Sequence, residues 1–281
     1  MSRPYRKILT RYARFRNPLA RLFGYALEEA VTPGPEGTYI AALLAAGATV
    51  TNSQRTAIST FMSGEIAAGR WDKHKRLYFP VWGVAAANAI CMKSLTSGTF
   101  NGSIVHAAKG VSANVSGNMN TNTNLGALGI TNTSFHFAML LPDGAEGAYS
   151  LPFSVNDFSA SSIYAYWSIG FPEIRVMERL FASSFLTNLP SVLSIGNDSV
   201  ANSLYLKERI YNSSASDLLA GSVATAFPSA NLFILATSTG EIAMNNPIGA
   251  FSVSTELSSA QDAAYTLALK TLWQSTTGLA L

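Results

Sequence analysis

Three histidines, His74, His106 and His136, are the first residues in this chain to weigh for chemistry. A zinc site legible in sequence needs short spacings such as His-x-x-x-His or His-Glu-x-x-His, and neither occurs. The nearest carboxylate pairs are Glu173 with Glu178 and Asp143 with Glu146. Two facing carboxylates can act as acid and base on a glycosidic bond. An exposed strand edge and a turn account for these pairs more simply, because acidic side chains are mostly solvated. No Gly-x-Ser-x-Gly elbow, Walker loop or Gly-x-Gly-x-x-Gly is present, and Gly126-Ala127-Leu128-Gly129 reads as loop glycine. Asp143, Asp157 and Asp198 are too scattered to assert a calcium site. The lone cysteine, Cys91, rules out an internal disulfide and a cysteine-based metal site, and reads as a small core residue. The reading is of a protein without catalytic residues, cofactor or metal.

Two other groups of residues could bind something. Residues 1–30 hold 7 of the 19 Lys/Arg and 2 of the 16 Asp/Glu, a net of +5, whereas the other 251 residues net −2. In this arm Arg3, Arg6, Lys7, Arg11, Arg14, Arg16 and Arg21 alternate with Tyr5, Tyr12 and Phe15. Such a pattern suits phosphate contacts, an anionic membrane surface or an acidic protein surface; a solvated tail is the bland alternative. A protein partner is the preferred reading and nucleic acid the less favoured one. The second group is Trp82, Tyr164 and Tyr166, with the Asn-rich stretch from Asn118 to Asn124. An exposed aromatic can stack on a sugar while Asn holds hydroxyls. Against that, the tryptophan can be core and the tyrosines part of an oligomer interface.

The elements that must position these residues fall into a helical front and a β-rich body. VTPGPEG, residues 31–37, reads as a linker, and Thr38–Ala46 as a short helix ended by Gly47. From Thr51 a second helix opens with Gln54 at the capping-box spacing. Ala57, Ile58, Phe61, Met62 and Ile66 mark its buried stripe, and Gly69 its end. Strands are expected at about 77–83, 88–95, 102–107, 135–141, 149–155, 162–170, 174–179, 191–196, 203–210, 231–237 and 248–253. Residues 112–134, rich in Asn, Thr and Gly, read as a long loop. A last helix, capped by Ser258 or Ser259, would bury Ala264, Leu267, Ala268, Thr271 and Leu272. Only 12% of residues are charged, about half the usual share, which suits a surface covered in an assembly and a homo-oligomer. The longest apolar stretch, Tyr39–Val50, has 12 residues against the ~20 needed to span a bilayer. No secretory signal is expected, since Arg21, Glu28 and Glu29 interrupt the basic N-terminus. Asn-x-Ser/Thr matches at Asn101, Asn114, Asn132, Asn197 and Asn212 are expected by chance in so Asn- and Ser-rich a chain.

Several short blocks carry a resemblance. They are Thr38-Tyr39-Ile40-Ala41, Gly47-Ala48-Thr49-Val50, Gln54-Arg55, Ala67-Ala68-Gly69-Arg70-Trp71-Asp72-Lys73, Arg76-Leu77-Tyr78, Gly98-Thr99-Phe100-Asn101-Gly102 and Leu257-Ser258-Ser259-Ala260-Gln261. Together they resemble a family of tailed-bacteriophage virion proteins with a concanavalin-like (laminin-G-like) sandwich. The likeness covers roughly residues 37–105 and 248–280 and leaves out the arm.

The resemblance and the strand pattern imply a mainly β protein, an antiparallel jelly-roll sandwich flanked by N-terminal helices and a C-terminal helix. The expected division is a docking arm (1–30), a linker (31–37), a helical region (38–76) and a sandwich with its closing helix (77–281). The implied function is a structural component of a phage particle (tail, fibre or head decoration), made in the host cytoplasm and held among other virion proteins by the arm. A receptor-binding lectin for host-surface glycan is the first alternative, and a polysaccharide-degrading enzyme the second.

Overall fold

The computed structural model describes residues 34–281, except 145–148, 156–162, 169–172, 177–178, 183–189, 199–202, 211–212, 221–226, 228 and 241–243. The arm at 1–30 therefore lies outside the described residues.

Helix α1 (Pro35–Ala45) opens on Pro35, three residues before the expected Thr38, because proline's fixed φ and missing N–H suit a first turn. Gly47, at φ 87°, stops it. Helix α2 (Asn52–Ala67) carries the complete capping box: Gln54 N donates to Thr51 Oγ1, and Thr51 N donates to Gln54 Oε1. Gly69, at φ 67°, follows its C-terminus. One member of the expected stripe is wrong. Ile66 is exposed, and Glu65 takes the buried place beside Ile58, Phe61 and Met62.

The body is a two-sheet antiparallel sandwich. Strands β1 (His74–Tyr78), β13 (Ala250–Ser254), β4 (His136–Leu141), β9 (Ser191–Asp198), β10 (Ser203–Ile210) and β11 (Ser213–Ala220) form one sheet in that order. The other runs β2 (Thr99–Ala107), β3 (Gly110–Asn124), β12 (Asn231–Ile234), β5 (Tyr149–Val155), β6 (Ile163–Ser168), β7 (Glu173–Val176) and β8 (Arg179–Ala182). Between them Phe137 stacks on Phe153 at 5.4 Å, with Phe251, Met119, Leu193, Ile195, Val253 and Ile234 filling the same core. The far side of the six-stranded sheet is covered too, by α1, α2 and α4 (Ser259–Thr277). Every residue of β4 is buried for this reason; with both faces covered, hydrophobic alternation gives way to a continuous run.

Three expectations fail. The strand expected at 88–95 is replaced by a single helical turn, α3 (Ala85–Asn88), and by isolated bridges at Tyr78–Cys91 and Ile90–Ser97. The loop expected at 112–134 is mostly β3, the longest strand described. Its Asn and Gly residues have poor strand propensity, but β2 pairs with it on one side and β12 on the other. That pairing, with Val111, Ala113 and Met119 buried in the core, overrides local preference. The third failure concerns α4. Ser258 does cap it in a capping box with Gln261, but the buried residues are Asp262, Tyr265, Thr266, Leu269, Leu272, Trp273 and Thr276. Of the expected apolar face only Leu272 is buried; Ala264, Leu267 and Thr271 face outward, Leu267 with 63% of its surface open.

Candidate functional site

Alternation along the six-stranded sheet sends one set of side chains to the sandwich core and the other towards the helices. In the second set, register places His74 beside Ser254, Ser254 beside His136, and His136 beside Gly196, which pairs with Tyr205. The next row on the same face runs Leu77, Ser252, Ala138, Ser194 and Lys207. Chain segments more than a hundred residues apart thus lay a polar strip across the sheet. The helices must meet it with polar groups of their own.

They do so at two points. On α2, Glu65 is wholly buried and accepts two hydrogen bonds from Arg70, at 2.9 Å from Nε and 2.6 Å from Nη2. Its Oε2 is also 3.1 Å from His74 Nε2, while His74 Nδ1 is 2.7 Å from Ser254 Oγ. On α4, Asp262 lies 3.0 Å from His136 Nε2 and 3.5 Å from Lys207 Nζ, with both its oxygens buried. As an acid in the first turn of α4 it also gains from the helix dipole. Tyr265 stands between the two halves, its ring 4.5 Å from that of His74 and 5.9 Å from that of His136.

Burial tends to raise the Glu65 carboxyl, but hydrogen bonds from His74 and Arg70, helped by their charges, outweigh it and hold the group below the usual carboxylate range. Burial also draws the His74 ring below the usual histidine range, against the opposing pull of Glu65. The Tyr265 phenol is driven up by burial; Ser252 is near enough to oppose that, without a bond of full geometry. Nδ1 of His136 and the hydroxyls of Ser194 and Ser252 have no hydrogen-bond partner.

Above this seam the N-terminus of α4 is tied to the turn after α2. Lys73 Nζ donates to Gln261 Oε1 at 2.9 Å and to the carbonyl of Glu256 at 3.0 Å, and Thr255 N donates to the carbonyl of Lys73. Lys207 Nζ donates to Ser259 Oγ at 2.6 Å, and Tyr205 OH to the carbonyl of Leu257. At the other end Gln54 Nε2 donates to the carbonyl of Thr276.

The arrangement Ser254–His74–Glu65 has the connectivity of a hydrolase triad, but the histidine is shut away from any substrate. It ties α2 to the sheet; the open groove between α2 and α4 reaches Glu65 and Arg70, and His74 behind them is wholly buried. Among the described residues no group of His, Cys, Asp and Glu could hold a metal ion, and no helix is long and apolar enough to cross a membrane.

The residues singled out from sequence sit elsewhere. Arg3, Tyr5, Arg6, Lys7, Arg11, Tyr12, Arg14, Phe15, Arg16 and Arg21 lie outside the described residues. Trp82 is 8% exposed and its indole N–H donates to Tyr39 OH, so it is core and cannot stack on a sugar. Tyr164 and Tyr166 belong to β6, where register pairs them with Arg175 and Glu173 of β7. The Asn118–Asn124 stretch is strand: Asn118 is buried and donates to the carbonyls of Thr237 and Ser238, which is a structural use. Asp143 forms an ion pair with Lys109, while Glu146 and Glu178 lie outside the described residues. His106 bonds to Asn88, away from the other two histidines. Sequence reading missed Glu65, His74, His136 and Asp262 as a group. A usable signal existed in Glu65, which occupies a stripe position between Met62 and the helix end.

No protein-family profile matches the chain, and no curated protein matches it. Among solved structures, one similar to it is the CBM40 of the Ruminococcus gnavus IT-sialidase bound to α2,3-sialyllactose, at 12% identity and TM-score 0.42, covering 56% of this chain and 96% of that one. Another is domain 4 of AbnA, a GH43 extracellular arabinanase from Geobacillus stearothermophilus, in complex with arabinotriose; it has 11% identity and TM-score 0.44, covering 69% and 98%. A third is the tailspike protein 2 of an Escherichia coli O157:H7 bacteriophage, at 13% identity and TM-score 0.40, covering 63% of this chain and 26% of that one.

Proposed function

We propose that this chain is a non-enzymatic structural component of a bacteriophage particle, held among other virion proteins and anchored by its basic, aromatic N-terminal arm. One observation carries the reading. The blocks that resemble phage virion proteins, 67–73 and 257–261, meet through Lys73 and Gln261, 188 residues apart in sequence. Arg70 of the first block neutralises Glu65, and Ser258 of the second caps α4. Motif residues with these duties fasten helices to a sandwich, which is what a particle subunit requires. The non-enzymatic part of the proposal is supported by the complete burial of Glu65, His74, His136 and Asp262. The lectin reading has no comparable support, since Trp82 is core and Asn118 is committed to backbone carbonyls.

The test is incorporation. Tagged full-length chain and a version lacking residues 1–30 are expressed during infection by the parent phage, and purified particles are examined by mass spectrometry. Full length is expected in the particle and the truncation is not. Equal entry of both would remove the arm as anchor. Entry of neither would overturn the virion reading, and a glycan array would then be the next measurement.

A further inference from the structure

The seam between the helices and the six-stranded sheet holds two carboxylates, Glu65 and Asp262, and two cations, Arg70 and Lys207. His74 lies among them wholly buried, 3.1 Å from a Glu65 that Arg70 already neutralises. The other charged groups nearby are already engaged: Lys73 at the α4 cap with Gln261, and Lys93 over the Trp71 ring at 4.6 Å and 3.5 Å from Asp72. Glu256, before the cap, receives Lys73 on its carbonyl. Among the described residues the His74 and His136 rings are also faced by the phenols of Tyr265 and Tyr205, the hydroxyl of Ser254 and the indole of Trp71. A proton added to His74 therefore puts a second positive charge on a carboxylate that Arg70 already neutralises, and net buried charge is strongly unfavourable.

We propose that this seam is an acid-sensitive latch: on mild acidification α2 and α4 open away from the six-stranded sheet while the sandwich core between the sheets stays closed. The geometry makes the separation possible. Glu65 and His74 lie on the helix side of the sheet, where Phe61, Met62, Leu269, Leu272 and Trp273 also seat the helices, and the core on the other side is built separately from Phe137, Phe153, Phe251 and their aliphatic neighbours. The sign follows from burial. His74 takes up a proton less readily closed than open, so opening becomes easier as pH falls below the ordinary histidine value of 6.5. Glu65, held below the ordinary carboxylate value of 4.5, contributes in the same direction only as pH falls below that value.

The experiment is hydrogen exchange on the intact chain, read by mass spectrometry at several pH values and corrected for intrinsic exchange. One coupled proton changes an opening equilibrium at most about tenfold per pH unit. The expected result is roughly a fivefold loss of protection in residues 52–67 and 259–277 between pH 6.5 and 5.5, with residues 117–121 and 231–234 of the far sheet unchanged. His74→Gln keeps a donor and an acceptor but does not titrate, and is expected to lose this response while exchanging like wild type at pH 7.5. The ring nitrogens of His74, followed by NMR in the unsubstituted protein, are expected to stay neutral at pH 6.5, so the result does not depend on the variant folding. Equal loss of protection in both sheets, no loss in the helices, an undiminished response in His74→Gln, or a His74 ring that protonates while the helices remain protected would each overturn the latch.

Discussion

The two faces of the six-stranded sheet are equally buried and both pack apolar surface, but only the helix side interrupts it with a polar seam. On the sandwich side Phe137, Met139, Leu141, Leu193, Ile195, Phe251 and Val253 present apolar surface, worth about 25 cal/mol per Å² removed from water and indifferent to direction. On the helix side Leu77, Ala138, Leu140, Leu269, Leu272 and Trp273 also pack together, but His74, Ser254, His136 and Lys207 among them are each met by a particular partner in a particular place. The contrast shows what fixes strand register here. Slipping β4 by one residue would turn His136 into the Phe-lined core and Phe137 against Asp262. Either move buries an unpaired polar group, so the polar face specifies the pairing that the apolar face stabilises.

The largest effects should come from breaking each face in turn. Asp262→Ala leaves Lys207 and His136 buried without their carboxylate. An expected loss of about 3–5 kcal/mol follows, read by urea unfolding at pH 7.5. Phe137→Ala opens a cavity beside Phe153 and should cost about 3–5 kcal/mol as well. The sizes are similar and the chemistry differs. Asp262→Asn separates them: it keeps the side-chain volume and removes the charge, and should cost nearly as much as Asp262→Ala; a near-neutral Asp262→Asn would mean that packing and not charge holds this face.

How much of this was legible in the sequence also divides along the two faces. The sandwich strands announce themselves, because Phe135-His136-Phe137 and Ser191–Gly196 alternate or run apolar between turn residues. Both long helices show their capping boxes, Thr51 with Gln54 and Ser258 with Gln261, and both boxes form. The polar seam was hidden by the rule that assigns apolar residues to the inside. On α4 the stripe Ala264, Leu267, Ala268, Thr271 is more hydrophobic than the one that is buried, which includes Asp262, Thr266 and Thr276. On α2 Ile66 outranks Glu65 by hydropathy and is nonetheless the exposed member. No single-chain pattern says that strands 9, 126 and 55 residues away will supply His74 to Glu65 and His136 and Lys207 to Asp262. β3 was missed for a related reason, since its strand character comes from two neighbours rather than from its Asn and Thr.

A smaller effect tests the fastening above the seam. Ser258→Ala removes the side-chain acceptor for Gln261 N and frees one backbone donor at the start of α4. Loss of such a cap costs about 1 kcal/mol. Gln261 also receives Lys73, so a somewhat larger value measured by thermal unfolding would mean that the cap and the Lys73 tie act together. Adding Lys73→Met in a double-mutant cycle reads that coupling directly.

The smallest effect belongs to the stripe that sequence reading chose and the fold did not use. Leu267→Lys places a charge where α4 faces outward, in an open groove with α2 lined by Ala57, Thr60, Gly64, Ala264, Ala268 and Thr271. Leu267 is 63% exposed, so its replacement removes little buried area, and the shift in unfolding free energy should stay within about 0.5 kcal/mol. The argument turns on the contrast with Asp262, five residues earlier on the same helix. If hydropathy decided which side of α4 matters, Leu267→Lys would be the damaging change and Asp262→Ala the mild one. The opposite ranking is expected, because the inner side of this helix is fixed by partners and the outer side by nothing in the described chain. A cost above about 1 kcal/mol for Leu267→Lys that grows with protein concentration would show the outer stripe to be covered by a second copy. The same cost independent of concentration would mean that α4 is not seated as described.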